Sequence, residues 1–316
     1  MQNQNSQHNF PHVRSAIYSQ PWAITKEWLE TICEITEAHI AGKVAGPFQT
    51  RRKRHCPNCA NGWMRISVQK KDEHSAPVSQ CDCPNCGCQC NEEDLTPYDI
   101  VSGVAVLQLN GPLFTKANWL TMMSGATSYD QFGSDFSDAM NDAYVNAILI
   151  QSDSPGGSCL GMSELCSRLF AAREQGNKPM IGFVDPMSCS AAYALISQCD
   201  RVYISESGMA GSIGTVLKYS NWDRAERNEG NDAVMLASSD VKAFGTPQSL
   251  AQYQSLIDNL LAYFNQFKEI VSRGREGINI EKVSGAKTWI GKEAVSMGLV
   301  DGVSTMEKII ADLTEA

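Results

Sequence analysis

One stretch limits the architecture more than any other. Residues 145–151, VNAILIQ, are almost continuously apolar, and Ser154-Pro155-Gly156-Gly157 follows shortly after. A strand that is apolar on both faces belongs inside a parallel sheet covered on both sides. The surroundings repeat the theme. VAVLQL (104–109), PMIGFV (179–184), RVYIS (201–205) and DAVMLA (232–237) read as further strands. Between them lie helical patterns over Tyr129–Tyr144, about 160–175 and about 189–199, and a long amphipathic one over Gln248–Arg273. Strands alternating with helices imply an α/β fold with a parallel sheet wrapped by helices.

Ahead of this region the chain has a different character. Residues 1–45 hold a helical pattern over 16–42, with Thr25 as N-cap, Ile32, Ile35 and Ile40 near one face, and Gly42 as the stop. Residues 46–98 are rich in Cys, Asn and Pro. Residues 99–316 carry the α/β pattern. Three segments are therefore expected, at 1–45, 46–98 and 99–316.

Twelve cysteines are present, and seven of them fall between Cys56 and Cys90. CPNC occurs twice, at Cys56–Cys59 and Cys83–Cys86. Two thiolates on a tight turn grip one side of a tetrahedral zinc, and two such pairs complete its shell. A structural zinc on Cys56, Cys59, Cys83 and Cys86 would supply the folding energy that this poorly apolar segment lacks. His55, Cys81, Cys88 and Cys90 are alternative ligands, and free or redox thiols are the competing reading. Arg51 to Lys71 holds seven basic residues and no acidic one. That patch suits nucleic acid or an acidic protein surface, or is a solvated face. The whole chain carries −9, which argues against a nucleic-acid binder overall.

The N-terminus is polar, without a basic start and apolar run, and no stretch of about 18 apolar residues occurs. The expectation is a cytoplasmic protein, neither secreted nor membrane-spanning, whose thiols stay reduced.

Two motifs suggest chemistry. Ser154-Pro155-Gly156-Gly157 follows a buried strand, and active sites of open α/β sheets lie at such carboxyl ends. Its glycines can turn N–H groups toward an oxyanion, although SPGG also suits a plain tight turn. Ser188-Cys189-Ser190-Ala191-Ala192-Tyr193 follows the strand PMIGFV. A serine there has a helix N-terminus beneath it, whether as nucleophile or as simple N-cap. All five histidines precede residue 100, so the α/β region cannot hold a Ser-His-Asp triad of its own. A neutral, desolvated lysine is the remaining base, with Lys178, Lys218 and Lys242 as candidates.

The motifs DSPGG (153–157), KPMIGFVDPMSCSAAYALISQCDRVYIS (178–205), GSIGTV (211–216), VKAFGTP (241–247) and WIGKEAVSMGLVDGV (289–303) resemble the signal-peptide-peptidase-A family of serine proteases. IYSQPWAITKEWLETICEI (17–35), VAVLQLNGPLF (104–114) and SGATSYDQF (124–132) resemble its phage and prophage branch, the head maturation proteases of the protein C type. The resemblance implies a Clp/crotonase-like fold, with the Cys-rich stretch as an insert, and a Ser–Lys dyad. Ser190 falls at the nucleophile, Lys242 at the base, and Ser212 at a serine that hydrogen-bonds the base. Gly156, Gly157 and the Ala191 amide fall at the oxyanion hole. No cofactor is implied for catalysis. Phage scaffold, portal or capsid proteins are the implied substrates, and a homo-oligomer the implied assembly. A host-type peptidase for signal-peptide remnants, and a non-catalytic scaffold built on the zinc ribbon, are the alternatives. SAAY stands where the family usually has SGGY, which narrows the space beside the nucleophile.

Overall fold

The computed structural model describes residues 17, 20–40, 65–69, 78–82, 89–91, 97–117, 125–218, 228 and 250–315. Strand β1 (Trp22–Ile24) is followed by helix α1 (Lys26–Ile40). Strands β2 (Arg65–Gln69), β3 (Val78–Asp82) and β4 (Gln89–Asn91) come next. Then follow β5 (Asp99–Val101), β6 (Val104–Asn110), β7 (Leu113–Phe114), β8 (Thr127–Ser128) and α2 (Tyr129–Asn141). The centre of the chain forms β9 (Ala147–Ser154), β10 (Gly156–Ser158), α3 (Met162–Gln175), β11 (Met180–Cys189) and α4 (Ala191–Ile196). The rest forms β12 (Arg201–Ile204), β13 (Met209–Gly211), α5 (Leu250–Gly274), α6 (Ile280–Val283), β14 (Thr288–Ile290), α7 (Lys292–Ser296), β15 (Gly302–Val303) and α8 (Met306–Glu315).

The main sheet runs β14-β13-β11-β9-β6-β5, with β12 also paired to β11 and β15 to β12. Its centre, β6-β9-β11, is parallel. The apolar run of β9 explains why it sits there. Ile148 and Ile150 join a core with α2, α3, α4 and α5 on one face. Ala147 and Leu149 join Val104, Val106, Ile181, Phe183 and Ile309 of α8 on the other. Each fully buried Leu or Ile contributes roughly 1.5–3 kcal/mol, and neither face of β9 gives that up to water.

β11 is the long strand. Its first half pairs with β12 and its second half with β13, and its register against β9 shifts between Val184 and Met187. PMIGFV therefore opens a strand that continues to Cys189, and the helix expected over 189–199 is confined to Ala191–Ile196. A second, smaller sheet has the order β1-β10-β7-β8. Within the segment 16–42 the helix begins at Lys26, directly after the expected N-cap Thr25, and the residues before Thr25 form β1. Within the Cys-rich segment β2, β3 and β4 form an antiparallel sheet. Cys56, Cys59, Cys83, Cys86, Lys242, Gly42 and the run DAVMLA lie outside the described residues.

Candidate active site

The site forms where β9 and β11 end side by side. Ser188 pairs with Ser154 in the parallel register, and Cys189 pairs with Gly211 on the opposite edge. The next residues, Ser190 and Ser212, therefore emerge as neighbours. Both have positive backbone φ, 55° each. A non-glycine residue there stores roughly 1–3 kcal/mol that its surroundings must hold in place. For Ser190 the holding groups are its own N–H, which donates to the Gly211 carbonyl (2.7 Å), and its carbonyl, which accepts from Ala194 N–H (3.0 Å). For Ser212 the N–H donates to the Lys287 carbonyl (2.6 Å). A sharp strand-to-helix turn carrying a strained serine is the geometry of a nucleophile elbow. The Ser190 hydroxyl donates to the Gly214 carbonyl at 3.4 Å, a long bond that costs little to break.

The glycine pair stands directly opposite. Ser154 Oγ donates to the Gly111 carbonyl (2.6 Å) and accepts from Gly156 N–H (3.2 Å). This fixes the turn into β10 and engages the Gly156 amide. A Cβ on Gly156 would stand 2.9 Å from the Ser190 Cβ and 2.9 Å from the Cys189 carbonyl oxygen. One on Gly157 would overlap the Leu113 carbonyl of β7. Glycine is thus required at both positions by close backbone approach. β10 is anchored further by Tyr129, whose hydroxyl donates to the Ser158 carbonyl (2.7 Å). Below the turn, Ser152 and Ser188 hydroxyls join at 2.9 Å.

Ala191 and Ala192 are wholly buried at the start of α4. Tyr193 beside them donates to the Leu299 carbonyl (2.7 Å), which ties the turn to the chain beyond α7. Cys189 abuts Ser190, but it is enclosed, and burial pushes its thiol up to about 12. It stays protonated at neutral pH and makes a poor nucleophile.

The three candidate bases separate. Lys178 donates to the Ala139 and Asp142 carbonyls (2.9 and 2.7 Å) at the C-terminal end of α2. Desolvation lowers its pKa while the charge of Asp142 opposes that shift. It precedes β11, so the ten-residue length of that strand, about 30 Å, separates it from Ser190. Lys178 is thereby removed as the base. Lys218 lies four residues beyond Gly214 and is half-buried. Lys242 is outside the described residues. Ser190, Ser212, Gly156, Gly157 and Ala191 are gathered at one place. The Gly214 carbonyl and β1, which lies against β10, were not anticipated. A Trp-Ala-Ile triplet just before the helix N-cap is the trace that β1 leaves in the sequence.

A model of peptidase family S49 matches residues 172–316. The chain is 28% identical over 224 residues to the "Capsid assembly protease C" of Escherichia phage lambda, covering 69% of this chain and 50% of that protein. It is 28% identical over 227 residues to the "Head-tail preconnector protein GP5" of Enterobacteria phage P21, covering 69% and 44%. The chain thus spans about half the length of these curated relatives. Among solved structures, the 1510-N membrane-bound stomatin-specific protease aligns with TM-score 0.43 and 18% identity, over 66% of this chain and 83% of that one.

Proposed function

We propose that the chain is a serine endopeptidase of peptidase family S49, whose model matches residues 172–316, and that it works through a Ser190–Lys242 dyad on a Clp/crotonase-like fold. The observation that carries the reading is the pair of strained serines at the ends of β11 and β13, facing the glycine turn after β9. Ser190 Oγ attacks a peptide carbonyl. Neutral Lys242 takes the hydroxyl proton and returns it to the leaving amine, with Ser212 orienting the lysine. The Gly157 and Ala191 amides hold the oxyanion, while Gly156 shapes the turn. Water then hydrolyses the acyl-enzyme.

The substrates we propose are virion proteins cut during capsid assembly, in keeping with the names of the two phage relatives. We also propose a homo-oligomer. Among the described residues no helix is long and apolar enough to cross a membrane.

Structural zinc on Cys56, Cys59, Cys83 and Cys86 remains part of the proposal. Arg65 at the start of β2 pairs with Asp82 at the end of β3. The first CPNC precedes that start by a few residues and the second follows that end directly, so the hairpin supports their convergence. Purified protein should carry one zinc per chain by elemental analysis, and a metal-free folded protein refutes this.

Ser190→Ala and Lys242→Ala should each lower the hydrolysis of an unfolded protein by about 10³-fold or more with the fold intact. Activity of the parent should rise with pH, because only the deprotonated lysine accepts the proton. Retained hydrolysis in either variant removes the dyad.

A further inference from the structure

We infer that β1 lies in the groove that a substrate peptide takes, so that the chain carries its own competitor for the site. The inference rests on the peptidase reading above and adds how substrate binds and which side chains it presents.

β1 is held on both sides by the two segments that build the site. Along one edge it pairs antiparallel with β10, Trp22 opposite Ser158, Ala23 opposite Gly157 and Ile24 opposite Gly156. Thr25 N–H donates to the Pro155 carbonyl (3.2 Å), and Cys159 N–H to the Pro21 carbonyl (3.1 Å). Along the other edge Trp22 and Val216 exchange two backbone bonds, of 2.9 and 2.8 Å. Val216 lies two residues past Gly214, the acceptor of the Ser190 hydroxyl.

The pleat then fixes which groups face the nucleophile. Trp22 turns its amide and carbonyl toward Val216, so Ala23 turns its own toward β10. The Ala23 carbonyl oxygen intrudes on the point a Gly156 Cβ would occupy, and the Ser190 Cβ is 2.9 Å from that same point. A peptide carbonyl thus rests beside both the nucleophile and the Gly157 backbone. A peptide to be cut must offer the same thing, an extended backbone added as a strand with a carbonyl at Ser190. The two cannot be there together. Ser190 is accordingly shut away, at 0% exposure.

The side chains of β1 indicate what the groove accepts. Trp22 and Ile24 are buried in an apolar cluster with Phe114, and the Trp22 ring meets Phe114 edge-on at 5.6 Å. Beyond the N-terminal segment itself, Phe114, Ala126 and Val216 form the walls of that cluster. Ala23 points the other way into the main core, where it is wholly buried. The preferred substrate is an unfolded segment with a small residue at the nucleophile and bulky apolar residues on either side.

The test uses the full chain with two readouts, hydrolysis of unfolded casein and labelling of Ser190 by an alkyl fluorophosphonate. Trp22→Ala removes the anchor of β1, and Thr25→Pro removes the bond to Pro155. Either folded variant, checked by circular dichroism, should label and hydrolyse about tenfold faster than the parent as the open fraction rises. A synthetic peptide spanning Ile17 to Trp28 should inhibit the parent, and inhibit Trp22→Ala at lower concentration, while a scrambled peptide does not. An active parent with no acceleration in the folded variants overturns the inference, as does a peptide that fails to inhibit at any concentration. Absence of both labelling and hydrolysis in parent and variants overturns the peptidase reading, and the inference with it.

Discussion

The two ends of β11 are built on opposite principles. At its start the peptide groups are satisfied in relaxed geometry. Met180 N–H donates to Asp200 Oδ2 (2.7 Å), Asp200 N–H donates to the Met180 carbonyl (2.9 Å), and Lys178 caps two carbonyls of α2. At its finish, ten residues on, Ser190 and Ser212 are forced to positive φ and two glycines are packed backbone against backbone. The same strand is thus anchored at one end and tensioned at the other. Strain gathers where a reactive group must be aimed, and the relaxed end supplies the rigidity that holds it.

The contrast can be broken from either end. The largest effect is expected at the tensioned end, from Gly157→Ala. The new methyl would meet the Leu113 carbonyl and stand 2.5 Å from its Cβ, with no flexible side chain to yield. Activity should vanish, and urea unfolding should show a loss of about 3 kcal/mol. A smaller effect, of opposite sign on stability, is expected from Ser190→Gly. Hydrolysis is lost with the hydroxyl, while the relief of positive φ outweighs the flexibility added to the unfolded chain. The midpoint of thermal unfolding should rise by a few degrees, equivalent to about 1 kcal/mol. A fall in that midpoint would mean that the turn at Ser190 is not strained. The smallest effect is expected at the anchored end. Lys178→Ala should cost about 1 kcal/mol through two lost caps on α2 and leave the rate per folded molecule unchanged. A rate loss there would make Lys178 part of the chemistry, against its place at the far end of the strand.

Much of this architecture is legible in the sequence because burial leaves a composition trace. VNAILIQ announces a central strand, and the long amphipathic pattern announces α5. The site is legible in part. SPGG and SAAY stand at strand ends, and the glycines are forced by close approach. What stays hidden is geometry that leaves no trace in residue type. Neither Ser190 nor Ser212 is a glycine, so their positive φ cannot be read from identity. The loss of the Gly156 amide to Ser154 Oγ depends on a side-chain rotamer. β1 escapes because three residues carry too little periodicity, and its partner strand lies more than a hundred residues away.

The hold of β14 on Ser212 has a consequence in time. Ser212 is pinned by the Lys287 carbonyl, and β13 pairs with β14 from residue 288 on. A ribosome that has just added Ser190 must translate nearly a hundred more residues before that clasp exists. At about 5–20 residues per second, the nascent chain spends many seconds with Ser190 made but its neighbour Ser212 unset. On the peptidase reading proposed above, the site is therefore born silent, and its activity waits on the last quarter of the chain's synthesis.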